Sequence, residues 1–153
     1  MSEGIDFVLV GGLAAVTQGA PITTHDVDIV HDRAPANIDR LMNALTKLRA
    51  RYRGRPIDRP LPADRRALAT TGHSLFSTDL GPLDCLGAIE GVRTYDDLLP
   101  LSVDIELAGF RLRVLGLDVI VQLKRVSNSP KDRAMLPVLE ETLKRQDQTK
   151  NRP

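Results

Sequence analysis

At 153 residues and 42% apolar content, the chain has the material for one compact core and little room for a second. Aromatic residues make up 3% and tryptophan is absent, so the core must come from Leu, Val, Ile and Ala. A formal net charge of +1 gives no global attraction to nucleic acid or membrane, and a single cysteine, Cys85, excludes an intramolecular disulfide and a thiolate zinc cage.

Phe7 to Val10 is a continuous apolar run halted by Gly11-Gly12, which predicts a short buried strand. Helix formers follow from Leu13 to Gln18, with Gly19 and Pro21 as stop signals. From Thr23 to His31, Val27 and Ile29 alternate with Asp26 and Asp28, predicting a half-buried strand with both acids on one face. Ile38, Leu41, Met42, Leu45 and Leu48 form one apolar stripe, so a helix is expected over 36–52.

RGRPIDRPLPADRR, with Pro56, Pro60 and Pro62, reads as an irregular loop. Residues 73–89 predict a strand pair or one strand broken at Gly81-Pro82, and Tyr95 to Leu99 one helical turn stopped by Pro100. Alternating runs on either side of Ala108-Gly109 predict a hairpin. Two helices are expected at the end, over 117–126 and 130–146. Ser129 is the expected N-cap of the second, Pro130 its first residue and Asp132 its acid at the third position. The order of elements predicts an α+β fold, a mixed central β-sheet flanked by helices. It forms one domain over 1–146, followed by a flexible tail, 147–153.

No basic segment precedes the first apolar run and no window reaches the roughly 18 apolar residues of a membrane span. With one cysteine, the expected setting is cytoplasmic, with no membrane partner.

Two features carry chemistry. Residues two apart on a strand share a face, so Asp26 and Asp28 can converge in front of the sheet, where paired carboxylates repel unless a cation joins them. Mg²⁺ suits such a pair because it prefers hard oxygen ligands and is often shared with substrate phosphates. Gly11-Gly12 ends a strand and opens a helix, where free N–H groups attract phosphate and a missing Cβ lets it approach. Each feature alone also fits an ordinary turn or a solvated face; their succession favours one site.

Val10-Gly11-Gly12, a gap of thirteen residues, then Asp26-Val27-Asp28-Ile29 resembles the motif of the DNA polymerase β-type nucleotidyltransferases. The likeness is greatest to small bacterial members, including those of abortive-infection and toxin–antitoxin systems. It extends through GPLDCLGAIEG, the predicted hairpin and LKRVSNSPKDRAMLPVLEETL. It implies a minimal nucleotidyltransferase fold and transfer of an NMP from an NTP to a protein or tRNA hydroxyl. The implied cofactor is Mg²⁺ (or Mn²⁺), and the implied alternative is an inactive nucleotide-binding module paired with a toxin–antitoxin partner.

The same resemblance makes Asp26, Asp28 and Asp84 the catalytic and metal-binding residues, with Asp79 the rival for the third place. It makes Gly11, Gly12, Thr24 and Lys124 the nucleotide-binding residues. Ile22, Leu13 and His25 depart from the more polar or basic residues common in the family. The arginines between Arg49 and Arg66 are either a solvated loop or an attraction for a phosphate-rich acceptor.

Overall fold

The computed structural model describes residues 3–153. The first apolar run is strand β1 (Phe7–Val10), and the chain turns at once into helix α1 (Gly11–Thr17). Strand β2 (Val27–His31) returns beside β1 and leads to helix α2 (Pro35–Lys47). Short strand β3 (Arg51–Tyr52) and helix α3 (Arg65–Leu68) bracket the proline-rich loop. Strands β4 (His73–Thr78) and β5 (Gly81–Leu86) follow, then helix α4 (Tyr95–Leu98) running into a 3₁₀ turn. The hairpin of β6 (Ser102–Leu107) and β7 (Phe110–Leu115) precedes helices α5 (Leu117–Val126) and α6 (Pro130–Lys150).

The strands join in one seven-stranded mixed sheet, ordered β3-β4-β5-β2-β1-β7-β6. β1 lies antiparallel to β2 and parallel to β7, and β2 runs parallel to β5. The two central strands are therefore joined by the α1 connection, and their neighbours arrive from much later in the chain. The α+β class expected from the order of elements is what the sheet and helices form.

Aliphatic side chains fill the core. Val8 and Val30 on the sheet, Ile38, Leu41 and Leu45 on α2, and Leu139 on α6 are buried. Each such side chain contributes about 1.5–3 kcal/mol relative to exposure. Two polar clamps position the elements around the site. The buried Asn37 amide donates to the Asp6 and Asp32 carbonyls at 2.9 and 2.7 Å and accepts from the Asp6 N–H at 2.8 Å, tying α2 to both central strands. Gln18, at the end of α1, donates to the Leu115 carbonyl at 2.8 Å and accepts from the Leu117 N–H at 3.0 Å. That bond serves the start of α5, where Gly116 has no side chain to cap with.

The local patterns fail in a few places. The helix expected to reach residue 52 ends at Lys47, because Arg49 takes a positive φ of 54° and the chain reverses so that Tyr52 can pair with Phe76. The strand expected from Thr23 starts only at Val27, where partners on β5 and β1 become available. The loop gives way to α3 at Arg65, whose N-cap Asp64 accepts from the Arg66 N–H at 2.9 Å. Of the two readings of residues 73–89, the strand pair is the one that forms, as β4 and β5, with Gly81-Pro82 opening β5. Ser129 makes no side-chain cap bond, and Asp132 turns instead to Lys124 and the Ser127 hydroxyl. Helix α6 continues past Gln146 to Lys150.

Candidate active site

Sheet register brings the predicted acids together. Asp28 on β2 stands opposite Asp84 on β5 in the parallel ladder, and paired residues point to the same face. Asp79, the rival third acid, lies in the β4–β5 turn, 3.7 and 3.9 Å from Arg49 and Arg51. Asp84 therefore shares the ladder position and Asp79 does not.

The glycine pair and the acidic strand form one assembly. Val10 pairs with Asp28, so Gly11 emerges beside that carboxylate with φ at +70°. A Cβ on Gly11 would overlap the Asp28 carboxyl group, and one on Gly12 would stand 3.0 Å from the Thr24 hydroxyl oxygen. Only glycine at position 11 meets both the left-handed backbone and the crowding.

Charge is concentrated here. Burial chiefly raises the Asp28 pKa, from 3.8 to about 6. A hydrogen bond to Asp84 and repulsion from Asp84 and Asp26 add to the rise, while Lys124 opposes it. Asp26 stands beside the pair, just before β2 begins. Among the described residues, no three carboxylate, imidazole or thiolate side chains are already closed into a metal cage. The donor set is nevertheless carboxylate oxygen, crowded enough for Asp28 to favour a shared proton, and it fits a hard divalent cation.

Two cations border the acids. Lys124 on α5 is half-buried and donates to Asp132 at 2.7 Å while lowering the Asp28 pKa through its charge. The second, Arg53, is an ion-pair partner of Asp84, a role that sequence reasoning does not assign. Its guanidinium also donates to the Phe76 carbonyl at 3.1 Å. No local signal marks Arg53 apart from the surrounding arginines, because its contact depends on the pairing of β3, β4 and β5. His25 is exposed, and Cys85 is a core thiol pushed up to about 12 by burial.

No family model and no curated protein matches the chain. Solved structures do. A proposed nucleotidyltransferase of Thermotoga maritima aligns over 97% of this chain and 84% of its own, with a TM-score of 0.52 at 17% identity. The lincosamide antibiotic adenylyltransferase LnuA, bound to lincomycin, aligns over 90% of this chain and 87% of its own, with a TM-score of 0.57 at 11% identity. The chain has the nucleotidyltransferase fold. The antibiotic-resistance factor ANT(2″)-Ia is a third similar structure, with a TM-score of 0.56 and 14% identity over 93% of this chain and 77% of that one. Nucleotidyltransferase architecture is thus shared at identities where side chains have almost wholly diverged. No helix among the described residues is long and apolar enough to cross a membrane.

Proposed function

We propose that this chain transfers a nucleoside monophosphate from a nucleoside triphosphate to a hydroxyl of a protein or RNA acceptor. The observation that carries the reading is the facing of Asp28 and Asp84 across β2 and β5, with Gly11 against the Asp28 carboxylate. Asp26, Asp28 and Asp84 would hold Mg²⁺ or Mn²⁺. When bound, such an ion neutralises phosphate charge and activates oxygen nucleophiles.

The chain's own groups orient the reactants. Backbone N–H groups at Gly11-Gly12 face the polyphosphate, which approaches closely because no Cβ intervenes. The Thr24 hydroxyl is packed against Gly12, and Lys124 adds a cation whose field reaches Asp28. Asp84 draws the proton from the acceptor hydroxyl as its oxygen bonds to the α-phosphorus and pyrophosphate leaves. LnuA is an adenylyltransferase, which makes ATP the first donor to test.

The test is incubation with each α-labelled NTP, Mg²⁺ and a cell extract containing RNA and protein. Label transfer is expected from wild type, with a loss on the order of 10³-fold in Asp26→Asn/Asp28→Asn. No transfer from any NTP by folded protein overturns the reading. One observation favours a second reading, a nucleotide-binding or interaction module such as a toxin–antitoxin component. Arg53 holds Asp84 and Lys124 holds Asp132, so both cations bordering the site already have partners. ATP binding without transfer is the outcome that module predicts.

A further inference from the structure

The hairpin of β6 and β7 ends the sheet on the side away from β3, so β6 is an edge strand. Among the described residues its ladder partners all lie on β7, from Ser102 opposite Leu115 to Leu107 opposite Phe110. The two-residue turn at Ala108-Gly109 makes Leu107 and Phe110 a hydrogen-bonded pair, and such pairs alternate along an antiparallel ladder. The N–H and C=O groups of Asp104 and Glu106 therefore point outward, where an added strand can pair with them.

The side chains of this hairpin divide by face. Val103, Leu107 and Phe110 share one face and are 41%, 44% and 45% exposed, an apolar patch at the rim of the sheet. On the other face Arg113 lies 3.2 Å from Asp104, and Arg111 stands opposite Glu106. Asp104 and Glu106 are both exposed and are the last charges before the open edge. A carboxylate accepts from more than one direction, so each can meet a second cation from outside. The sequence of β7 shows what β6 selects: apolar residues alternating with arginine.

We propose that the outer edge of β6 binds an extended segment of a partner protein whose apolar residues alternate with arginine or lysine. The segment adds a strand to the sheet. Its apolar side chains continue the patch of Val103 and Leu107, and its cations meet Asp104 and Glu106 from the side away from β7. A second copy of this chain fits poorly. Antiparallel pairing about a two-fold axis sets Asp104 against Asp104 or against Glu106 in the two registers that pair the strand most fully, and like charges directly opposite are destabilising. The acids thus keep identical edges apart and leave this one open to opposite charge. Three strand spacings, about 14 Å, separate β6 from β2, and the proposal does not depend on catalysis by the acids there.

The test is fluorescence anisotropy of the full chain with a fluorescein-labelled peptide carrying the β7 sequence, FRLRVL. Saturable binding that weakens with salt is expected, and none for a peptide with glutamate in place of both arginines. Glu106→Pro removes an outward N–H while leaving the β7 ladder intact, and is expected to weaken binding by about tenfold. Asp104→Asn/Glu106→Gln keeps every backbone group, and is expected to weaken binding by about tenfold and to flatten its salt dependence. Circular dichroism establishes that both variants fold. Absence of binding at low salt, equal binding of the glutamate peptide, or undiminished binding by either folded variant overturns the proposal. Self-association of the free chain in sedimentation, abolished by Glu106→Pro, also overturns it, by giving the edge to a second copy.

Discussion

At the start of strand β2, Asp26 and Asp28 stand half-buried among like charges; at its end, Val30 and His31 are 0% and 1% exposed. Five strand residues therefore pass from a site where burial raises a carboxyl pKa to a core where apolar packing dominates. The contrast shows how a small fold tolerates an acidic cluster. Ladder hydrogen bonds and core packing at one end fix the backbone, and the fixed backbone holds the carboxylates of the other end together against their repulsion.

Damage to the core end is expected to have the largest effect. Ile29→Ala removes a buried side chain next to Asp28 and should lower stability by about 2–5 kcal/mol, read by urea denaturation. Gly11→Ala attacks the junction. The positive φ and the overlap with Asp28 should cost about 1–3 kcal/mol, and ATP-analogue binding should fall along with the melting temperature. Asp28→Asn, at the site end, removes one of the crowded charges. Without divalent cation at pH 7.5, it should raise the melting temperature by about 2–4 °C and abolish any stabilisation by Mg²⁺.

The smallest effect is in pH dependence, where the two ends have opposite signs. Asp28, raised from 3.8 to about 6, stabilises the fold at low pH and loses that contribution as pH rises through about 6. His31 is lowered from 6.5, chiefly by burial, so its contribution is present above 6.5 and lost as pH falls below it. In metal-free buffer, the stability advantage of Asp28→Asn over wild type should grow between about pH 4 and 6. His31→Phe should lessen the acid sensitivity, while leaving the Leu68 carbonyl without its partner at 2.7 Å.

Much of this architecture is legible in the amino-acid order because local physics controls it. The apolar run ending at Gly11-Gly12, the alternation around Asp26 and Asp28, and the turn at Ala108-Gly109 each encode their own conformation. At that turn the φ values are +51° and +81°. What escapes is non-local. The stripe through Leu48 predicts further helix, but pairing of Tyr52 with Phe76 takes the chain away at Arg49. The family resemblance favours Asp84 over Asp79, and the physical reason, ladder register, exists only once β2 and β5 are side by side. Arg53 escapes for the same reason: two strand pairings separate it from the carboxylate that it holds.

Cys85 follows Asp84 on β5, fully buried, with its thiol pushed up to about 12. Modification requires a thiolate in contact with reagent, so this position reacts only when β5 separates from its neighbours. The sole cysteine of the chain is thus an internal clock for breathing of the strand that carries the third acid. Its alkylation half-life, followed by mass spectrometry, should lengthen with any ligand that clamps β5 to β2. Cation and nucleotide occupancy can be followed this way before any substrate has been identified.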